Sequence, residues 1–302
     1  MAFRFKARDG SVTAGLRRMA REQIGRAVES IEDDKPAEAI HELRKRCKKL
    51  RGLIRLVRPA FPDYSEENAW FRDTAGLVGQ LRDAKVMQDT YDLLLGEYDA
   101  PLDREELGKV RCRLKRHRQE LQQEMDVETA LEECRERLLK ARKRCAGWKL
   151  EETGWDALGG GFAMTYARAC AAAARIEEDG SPEAFHELRK RIKYHWHHCR
   201  ILRPIAPDQL KTRAKLAWRL SDELGDHHDL TVFMRHLSET PEQFGSGANV
   251  DVIITLARRR SAMLAQHAAV LAAKLLADPP EAFAESYGDQ WDAWADRAGF
   301  DG

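Results

Sequence analysis

Two stretches of this chain are nearly the same sequence, and that duplication limits what it can fold into more than any other feature. AEAIHELRKRCKKLRGLIRLVRP, residues 37–59, matches PEAFHELRKRIKYHWHHCRILRP, residues 182–204, without a gap at an offset of 145, and HELRKR is identical in both. A shorter echo follows at offset 146, where VGQLRDAKV from Val78 matches LGDHHDLTV from Leu224 and aligns Gly79 with Gly225 and Asp83 with Asp229. Two motifs repeated in one order at nearly one spacing imply two structurally equivalent halves. Helix formers fill the segments between, and only 10 prolines and 20 glycines punctuate 302 residues. The expected fold class is therefore all-α, each half a bundle of about four helices.

Reading the punctuation in order predicts helices near 11–33, 36–58, 65–97 and 103–145, then a connector holding Gly154, Gly159, Gly160 and Gly161. Further helices follow near 162–178, 182–203, 208–238 and 248–277, and an aromatic tail with Trp291 and Trp294 closes the chain. Pro36 and Pro182 suit the first turn of a helix, where a missing N–H costs nothing, and Pro59 and Pro204 stop the helices before them. The first helical repeat is expected at about 11–148 and the second at about 155–288.

On a helical wheel with His41 at 0°, Arg44, Lys45, Lys48, Arg51, Arg55 and Arg58 fall between about −100° and +40°, opposite Leu43, Cys47, Leu50, Leu53, Ile54 and Val57. The second copy repeats this: His186, Arg189, Lys190, Lys193, His197, Arg200 and Arg203 share the cationic arc, and Leu188, Ile192, His195, Cys199 and Leu202 lie opposite. A solvated helix face normally mixes signs, because Glu and Lys support one another at i,i+4 and like charges repel. These stripes hold almost no acid, and Arg, whose planar fork matches phosphate oxygens, fills most aligned positions. A polyanion would relieve the repulsion along them. The chain carries 51 Lys and Arg against 50 Asp and Glu, so an anion site must come from segregation of charge and not from net charge.

These residues resemble the CHAD domain family, the conserved-histidine α-helical domain. The resemblance rests on HELRK at His41 to Lys45 and at His186 to Lys190, and on Gly79-x-x-Arg82-Asp83 and Gly225-x-x-His228-Asp229, read as turns. It runs from about Ser11 to Tyr287 and implies a single CHAD-like domain over 1–302. The implied fold is two four-helix bundles related by an internal pseudo-two-fold, with the basic helices facing a central basic cavity that binds inorganic polyphosphate. Association with polyphosphate granules is implied as well. The implied binding residues are the two stripes together with Arg82 and His228. His41 and His186 are expected to hydrogen-bond phosphate oxygens, with a bound anion favouring their protonated forms. The copies depart from one another at His228, where the first has Arg82, and at Lys85, where the second has Thr231.

Other chemistry has less support. His228-Asp229 is similar to the HD dipeptide of metal-dependent phosphohydrolases, with His195, His197, His198 and His227 as further ligands, but its alignment with Arg82-Asp83 argues for a structural acid after a cation. His195 falls on the apolar arc and reads as a core histidine. The Gly159 to Gly161 run lacks the strand and lysine of a nucleotide-binding loop and reads as a linker. No nucleophile elbow occurs, and no cysteine sits in a recognisable family signature. Tryptophans such as Trp70 and Trp218 read as core, leaving only Trp196 near an edge of the basic arc, which is little stacking surface for RNA or DNA. RCRLKRHRQ, from Arg111 to Gln119, reads as a solvated helix face.

The expectation is thus non-catalytic binding of inorganic polyphosphate, with phosphate or sulfate ions able to take its place and no catalytic residue, metal or cofactor. An HD-like phosphohydrolase and an RNA- or DNA-binding helical protein are the alternatives, with nucleic acid disfavoured. Oligomeric state is not legible. Six widely spaced cysteines read as reduced thiols, the start lacks an apolar signal segment, and no run of about 18 apolar residues occurs, so a cytoplasmic protein without a membrane partner is expected.

Overall fold

The computed structural model describes residues 3–97, 104–124, 126–239 and 247–300, without the side chains of 80–83, 97, 104–107, 121–124 and 247–249. Among the described residues all regular structure is helical. The first half contains α1 (Val12–Asp33), α2 (Pro36–Leu56), α3 (Tyr64–Gly76), α4 (Gly79–Glu97), α5 (Arg104–Glu124) and α6 (Val127–Arg144). The second contains α7 (Asp156–Asp179), α8 (Pro182–Ile201), α9 (Pro207–Glu239) and α10 (Gly247–Leu275), followed by α11 (Pro280–Phe283) and α12 (Gly288–Ala298). None of the helices searched is long and apolar enough to cross a membrane.

Local chemistry sets several helix ends. Ser11 and Ser181 cap α1 and α8 by accepting the N–H groups of Ala14 and Ala184, each at 3.2 Å, which satisfies donors the helix itself leaves orphaned. Pro36 and Pro182 occupy the first turns of α2 and α8. Gly180 closes α7 in the left-handed region at φ 57°, where a Cβ would be strained.

Helices α1, α2, α3 and α6 pack as one bundle, α7 to α10 pack as another, and α2 lies against both α7 and α8. Glu67 of α3, only 2% exposed, ties the first bundle together. It accepts from Arg144 at 2.7 and 2.9 Å and from the Trp148 indole at 3.3 Å, so the buried carboxylate is both paired and hydrogen-bonded. The two halves also share a core: Met87, Tyr91 and Leu94 of α4 and Val110 and Leu114 of α5 cluster with Leu230, Phe233 and Leu237 of α9 and with Ile253 of α10. The aromatic tail folds back, placing Trp291 edge-on to Phe5 and Tyr287 edge-on to Phe162.

Three expectations are corrected. The helices predicted over 65–97 and 103–145 are each broken, at Leu77–Val78 and at Asp126, whereas their counterparts α9 and α10 are continuous. At the first break Arg44 donates to the Ala75 carbonyl at 3.0 Å, and a side chain inserted beside the i→i−4 ladder is a known cause of helix interruption. The glycine run is not a linker either. Gly159, Gly160 and Gly161 lie inside α7, where a Cβ on Gly161 would stand 1.9 Å from the Leu56 carbonyl oxygen and one on Gly160 3.2 Å from Pro59. The missing side chain of Gly161 lets α7 touch the end of the α2 backbone. Lastly, Trp148 and Trp291 are buried as expected of core tryptophans, but Trp218 is 46% exposed.

Replacing Gly161 with Ala should therefore lower unfolding stability by about 2 kcal/mol or more, although Ala is intrinsically the better helix former by about 1 kcal/mol. Gly108→Ala, at an exposed α5 position with open space around the added carbon, should leave stability unchanged or raise it. Urea unfolding of both variants checks the contrast.

Candidate functional site

Helices α2 and α8 meet where the two repeats meet themselves. Gly52 and His197 occupy the same repeat position, 145 residues apart, and a Cβ on Gly52 would lie 3.0 Å from the His197 ring. The bare glycine lets that imidazole rest on the α2 backbone, while His198 Nε2 donates to the Gly52 carbonyl at 3.0 Å. His197 is 2% exposed and edge-on to Phe3 at 6.1 Å. Burial, with Lys193 and Arg200 nearby, holds its pKa well below the ordinary histidine range. This corrects its assignment to the cationic arc: His197 is a neutral packing residue. His195 is a core histidine as expected, stacked on Phe162 at 5.7 Å.

Cations diverge to either side of this crossing. On one flank α2 presents Arg51, Arg55 and Arg58. The Arg55 guanidinium lies 4.2 Å from the Tyr194 ring and 5.7 Å from Tyr64, and Arg58 lies 4.8 Å from Tyr64. Arg51 and Arg55 both donate to Asn68 Oδ1, at 3.1 and 3.4 Å. Arg168 of α7 joins them, its pKa lowered by burial and by Arg58, Arg191 and Arg55. On the other flank α8 presents Lys193 and Arg200 over the Trp196 ring at 4.6 and 4.7 Å, with Arg203 beyond. From the first repeat Lys49 and Arg26 meet them, and burial, reinforced by Arg46, Arg200, Lys45 and Arg26, pushes the Lys49 ammonium down to about 7. Each flank thus draws on both repeats. Among the described residues, Arg51, Arg55, Arg58 and Arg168 on one side and Lys49, Lys193, Arg200 and Arg203 on the other make no ion pair.

The N-terminal halves of the two stripes are built differently. The motif acid pairs within its own helix: Glu42 with Lys45 and Arg46, Glu187 with Lys190 and Arg191. Lys45 and Lys190 are therefore not bare cations. Arg44 lies over Gly79 and Arg189 over Gly225, 3.3 and 3.5 Å from where a Cβ would be, so the two sequence motifs contact one another in both halves and the glycine makes room for the guanidinium. These glycines are helical and not in turns, since Gly79 opens α4 and Gly225 lies within α9. His186 and His228 face each other at 4.5 Å, with the His186 pKa lowered by burial and by Lys190 and Arg189. The side chain of Arg82, which aligns with His228, lies outside those described.

His41 is set apart from the arginines that follow it. It opens on a cleft of about 1180 Å³ between the halves, lined also by Glu38, Lys85, Asp89, Arg118, Asp226, Asp229 and Arg260. Acids outnumber bases on those walls, which departs from the expected basic cavity. Lys48 is exposed on the same helix. His227 stacks on Phe185 at 4.2 Å while His228 turns to His186, and among the described residues no group of three His, Cys, Asp or Glu is placed to hold a metal ion.

Arg4, Arg26, Lys49, Arg168, Arg191, Tyr64 and Tyr194 were not singled out in the sequence. Lys49 and Arg191 sit outside the aligned arc at about 80° and 140° on the wheel, and the others belong to different elements or are aromatic. The one available signal was that Tyr194 aligns with Lys49.

The folded-state pKa of Lys49, about 7, lies below its ordinary value of 10.5. Between those limits the unfolded chain binds more protons, so this residue makes stability rise with pH across that window. Lys49→Met should remove that contribution and be the more stable protein at pH 7; urea unfolding of both proteins at pH 7 and pH 9 measures it, and an unchanged pH slope in the variant would refute it.

A family model described as the CHAD domain matches residues 15–238. Among solved structures, the crystal structure of the CHAD domain from the plant Ricinus communis matches with a TM-score of 0.65 at 17% identity, covering 93% of this chain and 96% of that chain. At that identity the likeness is one of fold. Comparison with curated proteins gives no match. The family match spans well over half the chain and takes in both HELRK segments and the two glycine motifs packed against them, so this chain belongs to the CHAD domain family.

Proposed function

We propose that this protein binds inorganic polyphosphate without catalysis, in the cytoplasm and in association with polyphosphate granules. The observation that carries the reading is the pair of flanks beside the α2–α8 crossing, each a row of cations from both repeats with no ion pair among the described residues, Asp73 and Asp222 acting on Arg51 and Lys193 only from a distance. Their support is neutral: Asn68, Tyr64, Tyr194 and Trp196 position the guanidinium and ammonium groups and leave their charge intact. Forked arginine donors suit phosphoryl oxygens, and phosphate or sulfate ions would occupy the same donors singly. A pseudo-two-fold near Gly52 and His197 would relate the flanks. The aromatic rings beneath the cations are already engaged, so they offer bases little free stacking surface, which favours polyphosphate over RNA.

Titration with polyphosphate, single-stranded RNA and ATP at matched phosphate concentration and two salt levels tests this. Polyphosphate should bind most tightly, with log K falling against log salt by about 0.7 per phosphate neutralised, by analogy with single strands. Equal affinity for RNA would overturn the assignment. In a wet groove each lost charge-assisted hydrogen bond costs about 1 kcal/mol, so Arg55→Gln with Arg58→Gln should weaken binding about thirtyfold, and Arg200→Gln with Arg203→Gln likewise.

No phosphate should be released from polyphosphate or ATP with Mg²⁺, Mn²⁺ or Zn²⁺. Release that disappears in His228→Ala would replace the binding reading with an HD-like hydrolase.

A further inference from the structure

The α8 flank ends in a small pocket of 190 Å³ walled by the cations Arg4, Arg26, Lys49, Arg200 and Arg203. Phe3 and Gln23 complete the wall, and no acid contributes to it. The five cations come from four pieces of chain: the N-terminal segment, α1, α2, and the end of α8 with the residue beyond it. None makes an ion pair among the described residues. The volume leaves room for one phosphoryl group with part of its hydration.

The N-terminal segment is held in place as the end wall. Phe5 N–H donates to the Ile201 carbonyl at 3.2 Å, the Arg4 carbonyl accepts from Arg18 at 2.8 Å, and Phe3 sits edge-on to His197. With Phe3 and Phe5 both buried and Arg4 exposed between them, the Arg4 side chain is presented at the mouth. Lys193, Arg200 and Arg203 lead along α8 toward this wall and stop there.

The geometry points to a subsite for the terminal phosphoryl group of a polyphosphate chain, seated where the N-terminal segment closes the α8 flank. This rests on the polyphosphate reading above. A terminal phosphoryl group, like a phosphate monoester, carries about −1.5 to −2 charges at pH 7, more than the single charge of an interior unit, and four unpaired arginines with a lysine that a bound anion would protonate fully match the more highly charged group. The groups facing Lys49 are Lys45 and Arg46 on its own helix, Arg26 and Gln23 from α1, Arg4 from the N-terminal segment, and Arg200 and Arg203, with Glu29 beside Arg46. An anion there would restore the proton that burial, reinforced by this cationic surrounding, drives off.

Tripolyphosphate, orthophosphate, long-chain polyphosphate and the same long chain with both ends esterified are titrated into the wild-type protein, Lys49→Met and Arg4→Ala. Tripolyphosphate affinity should fall about tenfold or more in each variant, and esterifying the ends should weaken the long chain about tenfold for the wild type alone. Calorimetry at pH 8 in two buffers of different ionisation heat should show proton uptake by the wild type and none by Lys49→Met. Unchanged tripolyphosphate affinity in both variants, with no effect of esterification while long chains still bind, would overturn the subsite and leave the polyphosphate reading standing. No binding of any polyphosphate by the wild type would overturn both. Orthophosphate that binds as tightly as tripolyphosphate and is not displaced by the long chain would replace the chain-end subsite with a free-phosphate site.

Discussion

The approach of α8 to the α2 backbone at Gly52 governs the basic surface. The flanks are made of contacts such as Arg55 over Tyr194 at 4.2 Å and the cations gathered about Lys49, and each joins one repeat to the other. A side chain at position 52 would push against the His197 ring from 3.0 Å, and a packed interior transmits such a displacement instead of absorbing it. Moving α8 outward by that much would separate Tyr194 from Arg55 and Arg200 from Lys49 together. His198 fixes the same spot by donating to the Gly52 carbonyl. One position without a Cβ thus sets the spacing of charges on both sides of the crossing.

Two ways of managing charge alternate along the same helices. Near their starts, Glu42 and Glu187 neutralise the cations one turn on, so this part of each stripe behaves as ordinary helix surface. Farther along, Arg51, Arg55, Arg58 and Arg200 are positioned by an amide or an aromatic face. Such partners restrict the side chain without cancelling its charge. The half-buried cations repel one another, and the extensive apolar core beneath holds them together in spite of it.

What was legible in the sequence was local. The HELRK copies, Pro36 and Pro182 mark α2 and α8 closely, and α9 and α10 match the continuous helices read from composition and punctuation. Several of the misreadings involve a distant partner. Gly76 and Gly79 flank Leu77, but they do not place the break, which sits where Arg44 from α2 reaches the Ala75 carbonyl. Gly159 to Gly161 look like a linker until Leu56 and Pro59 are placed against Gly161 and Gly160. The wheel puts His197 among the cations, and Gly52 opposite with Phe3 at its edge explains its burial. Lys49 gains its cationic neighbours from α1 and α8, which no wheel of α2 contains.

The breaks in the first half have a consequence for how the chain comes into being. Because α3 and α6 stay with α1 and α2 while α4 and α5 lean across to α9 and α10, the face bearing Met87, Tyr91, Leu94, Val110 and Leu114 has its partners only in the last third of the sequence. A ribosome releases these helices well before those partners exist, and domains assemble as they emerge from the N-terminus. The nascent first half therefore carries an uncovered apolar face until synthesis is nearly finished.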